Sequence, residues 1–126
     1  MSWITRAVLT VVVCVYMLSF LLPVTDANTP RAMYGFQAFF WGLVSIVYLP
    51  MWLANPTLWF GCLRYGEGRW KSARNAGLLA VLLGVSEVWM WDGRPEIGYY
   101  LWMSSMVLLA LAGTIQSFRL ADNSAQ

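Results

Sequence analysis

The sequence predicts an all-α integral membrane protein, a single bundle domain (residues 1–126) with about four transmembrane helices. Hydrophobic residues make up 60% of the 126 residues and charged residues only 11%, a balance that soluble domains of this size do not have. Long apolar runs alternate with short polar segments. At about 20 apolar residues per crossing, the length leaves no room for a water-soluble domain.

The first apolar run extends from Ala7 to Leu22 and ends at Pro23. Its length predicts the first transmembrane helix. A secretory signal peptide has a similar outline, with Arg6 before the apolar run and a weak cleavage site around Ala27 after it. Both interpretations place the start of the chain at a membrane.

A polar loop, Val24 to Arg31, leads into a second apolar run, Met33 to Leu63, which is too long for one straight crossing. Wholly helical, it would measure about 46 Å, against a hydrocarbon core of about 30 Å. Pro50 and Pro56 divide it, and we interpret Asn55 as an N-cap and Pro56 as the first residue of a new helix. The run is then a short re-entrant or interfacial helix followed by a shallow crossing, or one bent crossing. A proline kink in one long helix is a further alternative.

Two further helices complete the predicted bundle. One extends from Ser72 to Trp91 and the other from Ile97 to Phe118, with a polar turn at Asp92 to Glu96 between them. Cys14 and Cys62 lie inside apolar runs and form no CxxC pair, so we interpret both as small buried hydrophobic residues.

Small residues recur on two of the predicted helices at spacings that allow another helix to approach closely. One set is Gly35, Ala38, Gly42 and Ser45, and the other is Ala76, Ala80 and Gly84. We interpret these as candidate contact faces for another membrane protein or for a second copy of the chain.

One dense basic cluster contains Arg64, Arg69, Lys71 and Arg74. The positive-inside rule predicts a cytoplasmic loop here, and an anionic lipid headgroup site is a functional alternative. With an even number of crossings, Arg6 and Arg119 fall on the same side, leaving Arg31 and Arg94 on the other. The chain is therefore predicted to lie in a bacterial inner membrane with both termini in the cytoplasm. Its net charge of +2 is too small to indicate a nucleic-acid partner.

The sequence contains no histidine, which is the commonest general base and a frequent metal ligand. We therefore expect no enzyme activity, no cofactor and no metal. Glu87 is the one acid inside a predicted helix, which makes it a candidate ion or proton site. The structural alternative places Glu87 at the outer interface beside Trp89 and Trp91, or in a pair with Arg94.

Four segments carry a resemblance: Leu18–Pro23, Gly35–Phe39, Trp52–Pro56 and Ile97–Trp102. In this order they resemble a loose group of small bacterial multi-span membrane proteins with an LSFxLP helix end, a GxxAF helix, a WLANP break and a GYxLW helix start. The resemblance covers most of the chain. It implies an architecture and no chemistry, because no activity is established for the group.

Two functions fit these observations. The first is a non-catalytic contact protein, such as an accessory subunit of a membrane complex or an immunity-type protein, acting by helix packing. The second is a small proton- or cation-coupled transporter using Glu87. Small multidrug exporters carry their essential glutamate in the first helix, and the first helix has no acid here, so their motif does not carry over.

Overall fold

Helices make up most of the chain in the computed structural model, which describes residues 1–25, 32–44, 50–90 and 94–124. The described helices are α1 (Trp3–Leu21), α2 (Gly35–Val44), α3 (Ala54–Gly66), α4 (Trp70–Met90) and α5 (Ile97–Ser124). A short 3-10 helix, Pro50–Leu53, precedes α3. Two short strands, β1 (Pro23–Thr25) and β2 (Met33–Tyr34), pair antiparallel in a hairpin that the sequence did not predict.

Two of the described helices, Trp3–Leu21 and Ile97–Ala121, are long and apolar enough to cross a membrane. This finding rests on length and composition, and it gives weak support to membrane association. Ser2 caps the first of them, because its hydroxyl oxygen accepts a hydrogen bond from the Thr5 backbone N–H at 3.2 Å.

The bundle has two distinct ends. We call the first the basic end. A Cβ atom added at Gly66 would lie 3.8 Å from the sulfur of Met1, and one added at Gly113 would lie 2.7 Å from the Arg74 backbone nitrogen. At the second, the hairpin end, a side chain at Gly98 would begin 2.7 Å from the carbonyl oxygens of Leu22 and Pro23. The start of α1, the α3–α4 turn and the last part of α5 therefore share one end.

The start of α5 is fixed at the hairpin end by backbone contacts. Thr25 forms an antiparallel bridge with Pro95, and the Glu96 N–H donates to the Val24 carbonyl at 2.9 Å. The last two residues of the predicted outer turn at 92–96 therefore contact the hairpin. Residues 91–93 lie outside the described part of the chain.

The second apolar run is broken near the predicted place, into the short helix α2 and the helix α3, with the 3-10 helix directly before α3. The Trp52 indole N–H donates to the Phe39 carbonyl at 2.9 Å, and Trp52 also contacts Gly42. A continuous helix would separate Gly42 from Trp52 by about 15 Å, so one long helix with a proline kink does not describe this segment. Residues 45–49, between α2 and the 3-10 helix, lie outside the described residues.

The N-cap prediction for Asn55 is wrong. Leu53 occupies the cap position with helical φ and ψ and no side-chain cap hydrogen bond, since the 3-10 helix continues directly into α3. Pro56 is the third residue of α3 rather than the first. Its missing N–H costs little there, because the first four N–H groups of a helix have no partner within the helix.

The core lies between α1, α3, α4 and α5. Its largest fully buried side chains include Val12, Leu58, Tyr65, Met106 and Leu109, and small residues such as Ala73 and Ala80 fill the remaining helix contacts. Many large apolar side chains are instead exposed along all five helices, for example Leu21, Val44, Leu63, Leu82 and Phe118. The interior is therefore rich in small and hydrogen-bonded residues, and the surface is rich in large apolar ones.

Candidate functional site

Asn55 is a buried hydrogen-bonding centre that joins four segments of the chain. Its Oδ1 accepts from the Tyr16 hydroxyl on α1 at 3.0 Å and from the Trp102 indole N–H on α5 at 2.9 Å. Its Nδ2 donates to the Trp52 carbonyl of the 3-10 helix at 3.1 Å. Only 5% of Asn55 is exposed. The amide therefore acts in tertiary structure, not in capping.

A cavity of about 80 Å³ lies beside Asn55 at the hairpin end. Its walls come from the end of α1, from β1, from α2, from the 3-10 helix and from α4 and α5. Six of the sixteen lining residues that the structure describes are aromatic, and the residues that the chemistry depends on are Phe39, Trp52, Asn55, Glu87, Tyr99 and Trp102. The break in the second apolar run is what forms the cavity, because it folds the 3-10 helix back against α2.

Glu87 lines this cavity from α4. It is half-buried, one turn beyond Gly84, whose carbonyl accepts from the Tyr99 hydroxyl at 3.2 Å. Within the described residues, ion pairs form only between Glu67 and Arg64 or Arg69, so the alternative of a Glu87–Arg94 pair is not observed. The alternative position beside Trp89 and Trp91 involves side chains outside the described part of the chain.

The sequence did not single out the aromatic partners of this site. Trp102 lies near the start of α5, and its indole N–H points inward to Asn55. Tyr16 lies in a helix rich in Val and Leu. A tyrosine hydroxyl inside such an apolar run indicates a buried hydrogen-bond partner, and this was the signal in the sequence.

The small-residue faces are occupied by segments of the same chain. Gly35 packs against the Ser19 carbonyl and Gly42 against Trp52, while Gly84 contacts Met103 on α5. Ala80 is fully buried, and Ala76 and Ala38 are shielded to lesser degrees. These faces are therefore not free for a partner helix in this structure, and Ser45 lies outside the described residues.

The basic cluster surrounds the turn between α3 and α4. Arg64 pairs with Glu67 at 2.9 Å and lies 4.7 Å from the centre of the Phe60 ring, and Arg69 is 3.7 Å from the same Glu67 carboxylate. Lys71 is exposed, and Arg74 donates to the Asn75 side chain at 3.1 Å. Glu67 offsets part of the positive charge, and anionic lipid binding by the cluster stays a prediction.

Three serines on α4 and α5 form hydrogen bonds within their own helices. The hydroxyls of Ser86, Ser104 and Ser105 donate to the carbonyls of Leu83, Tyr100 and Trp102 respectively. Such hydroxyls are already engaged by their own helix backbone. Reactive chemistry at these serines therefore has no support in their geometry.

Comparison with known proteins adds no assignment. No family model matches the chain, no curated protein is similar to it, and no solved structure matches it. The functional argument therefore rests on the geometry of the hairpin end and on the distribution of charge and exposed apolar surface.

Proposed function

We propose that the chain is an integral membrane protein that passes through the bilayer four times. The observation that carries this proposal is the exposure of large apolar side chains around the whole bundle, including Val11 and Met17 on α1, Leu79 and Leu82 on α4, and Leu111 and Phe118 on α5. Soluble proteins rarely leave apolar patches of this extent uncovered. In a bilayer the same surface contacts lipid tails without cost.

The proposed orientation places the basic end in the cytoplasm. Arg6, Arg119 and the cluster around the α3–α4 turn belong to this end, whereas Arg94 adjoins the hairpin. The positive-inside rule then locates both termini in the cytoplasm of a bacterial inner membrane.

Within the membrane, we propose a non-catalytic role in which α2 binds a helix of another membrane protein. At ten residues, α2 is too short to cross the hydrocarbon core. One side of it packs on α1 and the 3-10 helix, while Phe36 and Phe40 are exposed on the other side. Trp41 borders the cavity but is 63% uncovered, and 62% of Phe40 is uncovered. Aromatic residues are enriched in contact surfaces, and this proposal moves the contact surface from the small-residue faces to α2.

Site-specific photocrosslinking in cells tests the α2 surface. A photoreactive residue at Phe40 or Trp41 should give one discrete crosslinked product, and the same residue at Leu82, an exposed position on α4, should give none. A product of twice the 14.3 kDa chain mass would assign the contact to a second copy. Equal crosslinking from both helices, or none from α2, would contradict the proposal.

The cavity favours a second candidate, cation- or proton-coupled transport through Glu87. A carboxylate beside a cavity in a membrane protein is a natural ion site. Proteoliposomes containing the purified chain should then couple a cation gradient to proton movement, and Glu87→Gln should abolish this coupling. Silent liposomes with the wild-type chain would exclude transport.

A further inference from the structure

The hydrogen-bond donors of the tryptophan and tyrosine side chains around the cavity do not bind the Glu87 carboxylate. The indole N–H of Trp52 donates to the Phe39 carbonyl, the indole N–H of Trp102 donates to Asn55, and the hydroxyl of Tyr99 donates to the Gly84 carbonyl. The Asn55 oxygen already accepts two hydrogen bonds, which fills both of its lone pairs. Among the described residues of the wall, these indole and tyrosine donors are therefore engaged elsewhere, and none of the three serves the Glu87 carboxylate.

Glu87 is also the one charged residue among the described residues that line the cavity. When ionised, its carboxylate accepts hydrogen bonds and donates none. A partner must therefore bring positive charge and hydrogen-bond donors, or positive charge alone. A divalent metal ion does not fit, because Mg²⁺ and Ca²⁺ need about six oxygen ligands and this wall offers one carboxylate.

The aromatic walls of the cavity limit the kind of cation that can bind there. Trp52, Tyr99 and Trp102 contribute rings to the cavity, and the Tyr99 and Trp102 rings stand 5.9 Å apart at an angle of 51°. Rings arranged around a carboxylate recognise ammonium groups, because the negative face of a ring attracts a cation. The volume of about 80 Å³ is roughly half of the 150 Å³ cavity that accommodates benzene, so the cation carries few carbon atoms.

We propose that this cavity binds a small ammonium group, with the Glu87 carboxylate as its counter-charge and the rings of Trp52, Tyr99 and Trp102 as its walls. The ammonium group belongs either to a free small amine or to the amine headgroup of a lipid, because the cavity lies at the hairpin end, which the proposed topology places at the outer membrane surface. The site requires neither transport nor the α2 contact, so it stands or falls separately from both proposed functions.

Calorimetric titration of the purified chain in mild detergent tests the site. Methylammonium chloride should bind the wild-type chain, whereas sodium chloride and methanol, a neutral molecule of similar size to methylammonium, should bind much more weakly. Glu87→Gln keeps the size of the side chain and removes its charge, and it should weaken amine binding about tenfold or more. Glu67→Gln, at the opposite end of the bundle, should leave the affinity unchanged.

Two outcomes would overturn the proposal. Equal binding of methanol and methylammonium would show a cavity without cation recognition, and this comparison needs no variant. Absence of amine binding, together with a proton uptake that Glu87→Gln removes, would assign the carboxylate to protons alone.

Nanodiscs distinguish the two sources of the ammonium group. If phosphatidylethanolamine in a phosphatidylglycerol bilayer weakens the apparent affinity for free methylammonium, the headgroup occupies the site. If the affinity does not change, the ligand is a free amine.

Discussion

The side chain of Asn55 forms hydrogen bonds with three groups, which lie on three other segments of the chain. The Tyr16 hydroxyl and the Trp102 indole N–H both end on its Oδ1, and its Nδ2 reaches the Trp52 carbonyl. In an interior without water, a donor that loses such a partner stays unsatisfied, and this costs more than the bond itself contributes. The residue at position 55 is therefore specified by distant partners, and no apolar residue of similar size satisfies them.

Asn55→Leu should lower the free energy of unfolding in detergent by about 3 kcal/mol, because it leaves two buried donors without an acceptor. Tyr16→Phe removes one donor and leaves Asn55 bonded to Trp102, so its cost should be only about 1 kcal/mol. Chemical or thermal unfolding followed by circular dichroism measures both changes.

Thr57→Val is the matched control, since the Thr57 hydroxyl bonds only to the Leu53 carbonyl two residues from the same site. It should change the stability by less than about 1 kcal/mol. In the Asn55→Leu background, Tyr16→Phe should become neutral or stabilising because it removes an unsatisfied donor. Additive costs for the two substitutions would contradict the shared hydrogen-bond centre.

The Asn-Pro pair could be recognised in the sequence, but its role could not. Helix capping is a local inference, and the sequence contains a residue type and a proline that both suit it. The partners that decide the role lie 39 and 47 positions away along the chain. Spacing within one segment carries no information about such partners, so the cavity beside Asn55 could not be predicted from the sequence either.

At the scale of elements, α4 and α5 approach each other closely at two glycines. A side chain at Gly77 would begin 2.8 Å from the Ala110 backbone nitrogen, and one at Gly113 would begin 2.7 Å from the Arg74 backbone nitrogen. The sequence identified α4 as a close-packing helix but selected the stripe through Ala76, Ala80 and Gly84. A periodic set of small residues indicates a helix face that can pack closely. Which glycine contacts the backbone of the neighbouring helix depends on the position of that helix.

Gly77→Ala and Gly113→Ala should each destabilise the bundle by about 1–3 kcal/mol, because backbone atoms on the opposite helix must move to admit a methyl group. Gly66→Ala is the matched control at the end of α3. Its new methyl group would meet the Leu9 and Met1 side chains at ordinary distances of 3.6 and 3.8 Å. The same unfolding assay should show little change for Gly66→Ala, and equal effects at all three glycines would contradict this packing.

At the scale of the whole molecule, the exposed apolar surface predicts that the chain lies in a bilayer and not in water. Cys14 is exposed at the middle of α1 and not buried as the sequence predicted. In water, this thiol would react readily with a polar reagent. In the proposed topology it faces lipid tails, where a charged reagent does not enter.

A charged, membrane-impermeant maleimide should therefore leave Cys14 unlabelled in membrane fragments that are open on both faces. Cys62→Ser isolates the signal of Cys14, and denaturation in sodium dodecyl sulfate should restore full labelling. Glu67→Cys, in the exposed turn between α3 and α4, is the accessible control. Labelling of Cys14 at the rate of the control would place α1 in water and contradict membrane embedding.

The second apolar run contains the two shortest described α-helices, α2 and α3, and topology reporters test whether it crosses the membrane. The 13 residues of α3 span about 20 Å, so α2 and the 3-10 helix must complete the crossing near the hairpin end. If the run crosses, a green fluorescent protein fused after Gly68 should fluoresce, and a phosphatase active only in the periplasm should work after Arg94. If the run returns to the side on which it began, Gly68 moves to the periplasm and Arg94 to the cytoplasm, and both reporters invert. The positive-inside rule predicts the first pattern, because the inverted one would place Arg64, Arg69, Lys71 and Arg74 outside the cell.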